Sequence, residues 1–512
     1  MSVSPQLPGT DLAQFIRDGH LVVKTSLPDS FHRDLHAKIE DVFEKEGNPG
    51  NNILPRVPEI ASVYDDPAVR SALQSLLGPG YIMNPHRHCH LNPPGSKGQS
   101  WHKDCYVFDH NVRHPRFHWV LAFYYPQDVT PDMGPTGVMP KQQWYQDISD
   151  PDPAKSTERD QALLGVAGTV SIVHFDAWHR ATANTSDRKR YMLKFQFART
   201  AAPEPVDAAM DPGWESEAAV SDDVWAWLHG GLPSWSSPSS TGSVDASQMG
   251  QHVDALTAAD PQVRRRAADA LACSGAAGDA VTSLRQALTD DDEGVRLNAA
   301  YALAAAGAQG RETLVESLRR DAMAAEERAL AKTADNAHGT NPTAQVGSTA
   351  LGVAPDALDA ISSLLNDAHW LVRASAVDAV SNRADGPQAM TRELIAAVDD
   401  DHWWVRRNAQ EALGRGHALG ESALVAVSKG LRDEDYRVRR NAAMALRRAD
   451  GPAGDTVDGL KAMLHDENRY NRFYAIDALR RLAPAAAEAE RVLMDHLYTS
   501  RWCPLTDSDD RY

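Results

Sequence analysis

Residues 168–197, "GTVSIVHFDAWHRATANTSDRKRYMLKFQF", decide the fold. Val170 and Ile172 alternate with small or polar residues, the period-two signature of a strand with one buried face. The chain turns after Trp178–His179, and Arg190 opens a second run, "RYMLKFQF", eleven residues beyond the histidine. Returning antiparallel, that run can set Arg190 beside His179. A planar guanidinium there is a natural bidentate partner for a carboxylate.

Upstream, "HLVVKTSL", "YIMNPHRHCHL" and "FHWVLAFYYP" also read as strands bounded by turn signals. "PDSFHRDLHAKIEDVFEKEG" and "PAVRSALQSLLG" read as helices closed by glycine. Helices followed by many short strands predict an α+β unit built on a sheet sandwich or barrel.

"QSWHKDCYVFDH", residues 99–110, carries His102-Lys103-Asp104. On a strand, residues i and i+2 share a face, so an imidazole and a carboxylate can reach one metal ion. Two histidines and one carboxylate form the facial triad of non-haem iron(II) oxygenases, with positions left open for co-substrate and O₂. His179 is the candidate third ligand. With Arg190 behind it, the set describes an oxygenase whose co-substrate is 2-oxoglutarate. His174-Phe175-Asp176 has the same His-x-Asp form, and form alone does not choose between the two.

The motifs resemble those of the phytanoyl-CoA dioxygenase family over roughly residues 10–200. Gln99, His102 and Asp104 match its Gln-x-x-His-x-Asp, and His179, Asn184 and Arg190 match its distal motif. Asp128, Gly134, Pro135 and Pro140 keep part of its middle turn, with Lys-Gln-Gln in place of Gly-Ser-His. The resemblance implies a double-stranded β-helix (jelly-roll, cupin-like) domain. It implies iron(II) on His102, Asp104 and His179, and 2-oxoglutarate and O₂ as co-substrates. Arg190 would bind the far carboxylate of 2-oxoglutarate. Gln99, Trp119 and Thr182 join it as co-substrate candidates; Thr182 follows Ala181, which stands where the family often has a serine. Asp176 falls to a structural turn. An acidic ligand at 104 implies hydroxylation, since halogenating relatives carry a small residue there.

His86, His88 and His90 alternate on one predicted strand face and could line the pocket or simply be satisfied. His110, His114 and His118 follow the motif too closely to reach the same metal and read as loop residues, with Cys105, Tyr106 and Asp109 as neighbours of the site.

From about residue 251 the chain repeats. "VRRRAADAL" starts at Val263, "VRLNAAYAL" at Val295, "VRASAVDAV" at Val372, "VRRNAQEAL" at Val405, "VRRNAAMAL" at Val438 and "NRFYAIDAL" at Asn471, the last four spaced by 33 residues. The wider gap after 295 would hold one degenerate repeat and the loop "DNAHGTNPTAQVGSTALG". Val438, Ala442, Ala445 and Leu446 make one helical stripe, and acidic turns before each stripe suit helix N-termini. Such a period means a helical solenoid, here similar to HEAT-like repeats of the phycobilisome-lyase type. Arg264, Arg296, Arg373, Arg406, Arg439 and Arg472 form a ladder that should pair with the acidic turns of adjacent repeats or, failing that, serve as a binding ridge.

The expected organisation is an oxygenase domain over 1–205, a helical appendix and Ser/Gly/Pro-rich linker over 206–250, a solenoid over 251–495 and a tail over 496–512. A length of 512 residues suits about three units at roughly 150 residues each. The net charge of −18 argues against a nucleic-acid binder. No apolar run approaches the ~20 residues of a bilayer span, no signal peptide is evident, and four scattered cysteines fit a reducing cytoplasm. The expected function is hydroxylation of a small molecule, with protein partners or self-association through the solenoid. The alternatives are a protein or peptide hydroxylase that docks its substrate on the solenoid, and a non-catalytic scaffold.

Overall fold

The computed structural model describes residues 7–104, 114–144, 160–204, 214, 218–233, 246–275, 277–331, 346–383, 385–416, 419–451 and 455–482. Cys105, Tyr106, Asp109, His110, most of the expected linker and the tail 496–512 lie outside these residues.

Among the described residues, eight strands build the N-terminal domain: β1 (His20–Lys24), β2 (Ile82–Asn92), β3 (Trp119–Tyr125), β4 (Thr136–Val138), β5 (Gln161–Leu163), β6 (Thr169–His174), β7 (His179–Ala181) and β8 (Arg190–Ala198). They form an antiparallel five-stranded sheet, β1-β6-β3-β8-β2, and a three-stranded sheet, β5-β4-β7. The strict alternation along β3 sorts its side chains. Val120, Ala122 and Tyr124 pack on the helices Asp29–Glu46 and Pro67–Leu77, while Trp119, Leu121, Phe123 and Tyr125 point inward toward Val138 and Leu163 of the smaller sheet. On β8 the same rule places Tyr191, Leu193, Phe195 and Phe197 outward and Met192 and Ala198 inward.

The C-terminal half is all helical, as the repeat predicts. Its inner helices, Pro261–Cys273, Glu293–Ala305, Val346–Val353, Trp370–Ser381, Trp403–Arg415, Tyr436–Leu446 and Arg469–Leu482, stack in that order. Val438, Ala442, Ala445 and Leu446 are buried together. Asp260, Asp292 and Asp435 cap their helices by accepting from Gln262, Val295 and Arg437 backbone N–H groups. Four rungs of the arginine ladder pair across repeats: Arg264–Asp290, Arg373–Asp400, Arg406–Asp433 and Arg439–Asp466, each at 2.7 Å. The part of the expected loop that is described, from Val346 on, is instead the helix Val346–Val353, and the first solenoid helix starts at Ala246. Among the described residues no helix is long and apolar enough to cross a membrane.

The "appendix" helix Ala219–Leu228 is a buried strut rather than an appendage. Asp223, fully buried, receives Arg116 at 2.6 Å and the Tyr301 hydroxyl at 2.9 Å, while Arg116 also donates to the Asn382 carbonyl at 2.5 Å. His118 meets the Asn382 side chain at 3.2 Å, and Asp269 accepts from the Ala219 N–H at 2.6 Å. His114 and His118, expected as ordinary loop residues, are therefore in a loop yet buried. His118 lies directly on the solenoid.

Candidate metal centre

The segments around the two motifs zip together antiparallel. His102 N–H donates to the His179 carbonyl at 3.1 Å, and His179 N–H returns to the His102 carbonyl at 3.0 Å. Gln99 extends the zip, its N–H donating to Ala181 at 2.8 Å and its Oε1 accepting from Ala181 N–H at 3.1 Å. Lys103, between the first two ligand candidates, points the other way and meets Asp176 at 2.9 Å, both about 3% exposed. The rival His-x-Asp thus contributes an anchor: Asp176 holds the loop that carries His102 and Asp104. His174 is buried among Phe15, Phe117 and Trp144.

Each ring of the pair is oriented by its Nδ1, which lies 3.0 Å from a carbonyl, Ser100 for His102 and Ala177 for His179. An Nδ1–H donating there leaves Nε2 as a bare acceptor. His179 Nε2 is buried without a hydrogen-bond partner, 3.7 Å from Asp104 Oδ1. One atom each from His102, Asp104 and His179 falls within 4.8 Å of the others, a group that could hold a metal ion. Burial lowers the His179 pKa to about 4, with the Asp104 carboxylate working against the shift. Burial alone would raise the Asp104 carboxyl; the Lys194 ammonium and the two imidazoles outweigh it and hold the acid well below the usual carboxylate range.

Lys194 escapes motif reading. Its Nζ lies 2.8 and 3.1 Å from the two Asp104 oxygens. The signal was available, since Lys194 stands four residues after Arg190 on one strand and so shares its face. His88 is its register partner on β2 and Phe123 its partner on β3. His88 and His90 rings are 4.5 Å apart, and burial holds His86, His88 and His90 neutral, His88 at about 3.

Arg190 is 1% exposed at the other end of the barrel. Its Nε and Nη2 donate to the Gly134 carbonyl at 3.0 and 2.7 Å, and among the described residues it has no carboxylate partner. Gly134 sits at φ +69°, and a Cβ there would run into the Asn92 side chain and the Thr182 carbonyl. The middle motif therefore acts by delivering a carbonyl to the arginine. Asn184 is structural, donating to Asn92 and Arg188 carbonyls at 2.9 Å. Thr182 Oγ1 donates to the Pro135 carbonyl at 2.7 Å. Trp119 is the register partner of Ala198, eight residues of β8 from Arg190 and so about 26 Å along the strand. That separation takes Trp119 away from any group Arg190 binds, and it packs on Phe175 with ring centroids 5.9 Å apart.

Residues 15–192 match the phytanoyl-CoA dioxygenase family model, and residues 252–334, 348–414 and 424–502 match HEAT repeats. The chain thus joins a phytanoyl-CoA dioxygenase-type domain to a HEAT-repeat solenoid. No curated protein sequence matches it significantly. Among solved structures, similarity is found to AviO1 from Streptomyces viridochromogenes Tue57 (17% identity over 40% of this chain and 99% of that one, TM-score 0.33). SnoK, a non-heme alpha ketoglutarate dependent carbocyclase from nogalamycin biosynthesis, shows 19% identity over 40% and 89% of the chains (TM-score 0.32). EctD from S. alaskensis, solved with 2-oxoglutarate and 5-hydroxyectoine, shows 17% over 39% and 78% (TM-score 0.33).

Proposed function

We propose that the protein is an iron(II)- and 2-oxoglutarate-dependent dioxygenase that hydroxylates an aliphatic C–H bond of a small molecule, acting in the cytoplasm. The observation that carries this reading is the unpartnered, buried Nε2 of His179 facing Asp104 in a three-ligand group. A buried acceptor costs free energy unless something pairs with it, and two imidazoles with one carboxylate suit iron(II). Arg190 supplies the matching argument for the co-substrate: a buried guanidinium that meets a carbonyl and, among the described residues, no carboxylate calls for an anion.

His102, Asp104 and His179 would hold the metal, and Arg190 would pair with the far carboxylate of 2-oxoglutarate. Iron(II) with 2-oxoglutarate supplies oxidative decarboxylation to succinate and CO₂ and delivers one oxygen atom of O₂ to substrate. The chain supplies orientation. Ser100 and Ala177 carbonyls fix both rings, Lys194 keeps Asp104 ionised and in place, and the Lys103–Asp176 pair anchors the ligand loop. Gln99 and Thr182 act through the backbone they bond, at Ala181 and Pro135. A docked protein substrate fits less well, because the solenoid face that meets Arg116, His118 and Asp223 is filled by the chain's own first domain.

Anaerobic addition of Fe(II) and 2-oxoglutarate should produce a weak visible charge-transfer band, lost in His102→Ala. Air should then release succinate. Absence of both band and succinate in the wild type would sink the proposal and favour a non-catalytic scaffold.

A further inference from the structure

The inward row of the barrel has two ends. Arg190 and Asn92 stand opposite each other at one; Ala198, its β2 partner Ile82 and its β3 partner Trp119 stand at the other. The metal-ligand candidates lie between, level with Lys194 and His88. A substrate on the side of the metal away from Arg190 therefore faces the Ala198 end.

That end is closed by the solenoid. The Tyr470 hydroxyl is 3.0 Å from His86 Nδ1, and Asn84 donates to the Tyr474 hydroxyl at 3.2 Å. Arg469 donates to Asn52 Oδ1 at 2.8 Å, while Asn51 reaches the same His86 nitrogen at 3.4 Å. A small cavity of about 30 Å³ also lies between the two halves, lined by Trp119 and Arg199 of the barrel and Glu411, Asn441 and Met444 of the solenoid. The apolar lining of the barrel, with Trp119, Leu121, Phe123 and Val138, belongs to one hydrophobic cluster with the solenoid core, Tyr470 and Tyr474 included. The core on the other face of the sheet, under the N-terminal helices, is separate. His86 lies one strand step from His88, close enough for the charges of Lys194 and Asp104 to act on it. A direct hydrogen bond thus joins the helix Arg469–Leu482 to the histidine row beside the metal site.

We propose that the helix Arg469–Leu482 is a wall of the substrate chamber, so that the solenoid, through Tyr470 and Tyr474, decides which molecules the barrel accepts. This rests on the oxygenase reading. The wall presents aromatic rings and neutral hydrogen-bonding groups (Tyr470, Tyr474, His86, Asn84), which suits a small molecule carrying hydroxyl or carbonyl groups beside an apolar skeleton. A domain pair built this way puts its substrate at the junction, where an interface already brings two surfaces together.

Metal-centred oxidation tests the wall without relying on turnover. Full-length protein is loaded with Fe(II), exposed to ascorbate and O₂ without 2-oxoglutarate, and its peptides are mapped by tandem mass spectrometry. Expected is metal-dependent oxygen addition at Tyr470 or Tyr474 together with His86 and Trp119, severalfold reduced in His102→Ala. Oxidation that never includes residues 469–482, or no metal-dependent oxidation at all, overturns the proposal. Succinate release from a parallel sample given 2-oxoglutarate scores the oxygenase reading separately: succinate without oxidation of the helix removes the wall and leaves the oxygenase, and the reverse result removes the oxygenase and leaves the wall. A metabolite panel completes the test. Tyr470→Phe and Tyr474→Phe should change which compounds stimulate succinate release, and a profile identical to wild type would refute the specificity role.

Discussion

The arginine ladder of the solenoid and the open groups of the candidate site treat buried charge in opposite ways. In the solenoid, Arg264, Arg373 and Arg406 each meet an aspartate of the next repeat in the same two-pronged geometry, and Arg439 meets Asp466 through its Nε. In the barrel, among the described residues, Arg190 meets a carbonyl but no carboxylate, and His179 Nε2 has no hydrogen-bond partner. Closed pairs repeat because they serve architecture, which is the same in every repeat. The open groups of the candidate site belong to no repeat, because a site needs partners that arrive from outside. The contrast teaches that a polar residue is best judged by whether its bonds are complete.

The junction of the two halves is the severest place to break that contrast. Arg116 and Asp223 are a closed pair in neither domain alone, and both are fully buried. Asp223→Asn leaves the guanidinium buried without its counter-ion, a change of about 3–5 kcal/mol. Urea unfolding of the full chain should show that loss. A change below about 1 kcal/mol would mean the halves do not depend on this hub.

Arg190→Lys tests the open side. Lysine keeps the charge but cannot both bond Gly134 and fork onto a carboxylate. The 2-oxoglutarate concentration needed for half-maximal succinate release should rise about 10–100-fold, equivalent to about 1.4–2.8 kcal/mol. Fe(II) binding measured without co-substrate should barely move. If stability falls instead while the co-substrate requirement holds, Arg190 belongs with the closed pairs.

Much of this was legible in the sequence, and for local reasons. His179 and Arg190 open strands, as their spacing predicts, whereas His102 and Asp104 lie in a loop that meets His179 through a single bridge; the repeat follows from its recurrent valine–alanine stripe. The ladder's closure was also legible, because acidic turns recur at the same period as the arginines. What was hidden depends on contacts between distant segments. Lys194 could have been read from its face-sharing with Arg190, but its bond to Asp104 depends on how a loop ninety residues away folds back. Asp176 looked like a turn residue because its partner, Lys103, lies in the other motif. Tyr301, Glu411 and Met444 occupy one repeat position, yet sequence does not say that this position faces the barrel. Trp119 was placed with the co-substrate by resemblance, whereas strand register sends it to the other end.

Asp378 is an exception inside the solenoid and gives a pH test. Burial first, and the neighbouring Glu411 next, push its carboxyl up to about 7, against the pull of Arg415, Ser348 and Arg407. The folded state therefore keeps a proton that the unfolded chain has released, since an unfolded aspartic acid titrates near 3.9. Stability should fall as pH rises from about 4 to about 7 and level off above. In Asp378→Asn that decline should shrink, so the variant's Tm should exceed the wild type's most clearly at pH 8. A difference independent of pH would show that Asp378 is ionised throughout, and hence closed like its neighbours.

Arg406→Ala should have the smallest effect. The Arg406–Asp433 pair is only partly buried, its side chains 12% and 11% exposed, and water can solvate the abandoned aspartate. The expected loss is about 1 kcal/mol by urea unfolding. It should shrink in high salt, because the pair lies near enough to solvent for ions to screen it. Succinate release should be unchanged, since Asp433 and Asp400 turns lie in the repeats and neither bonds the barrel among the described contacts. A loss of turnover larger than the loss of stability would make the ladder a functional ridge after all. The distinction between closed and open charges would then fail where it is most regular.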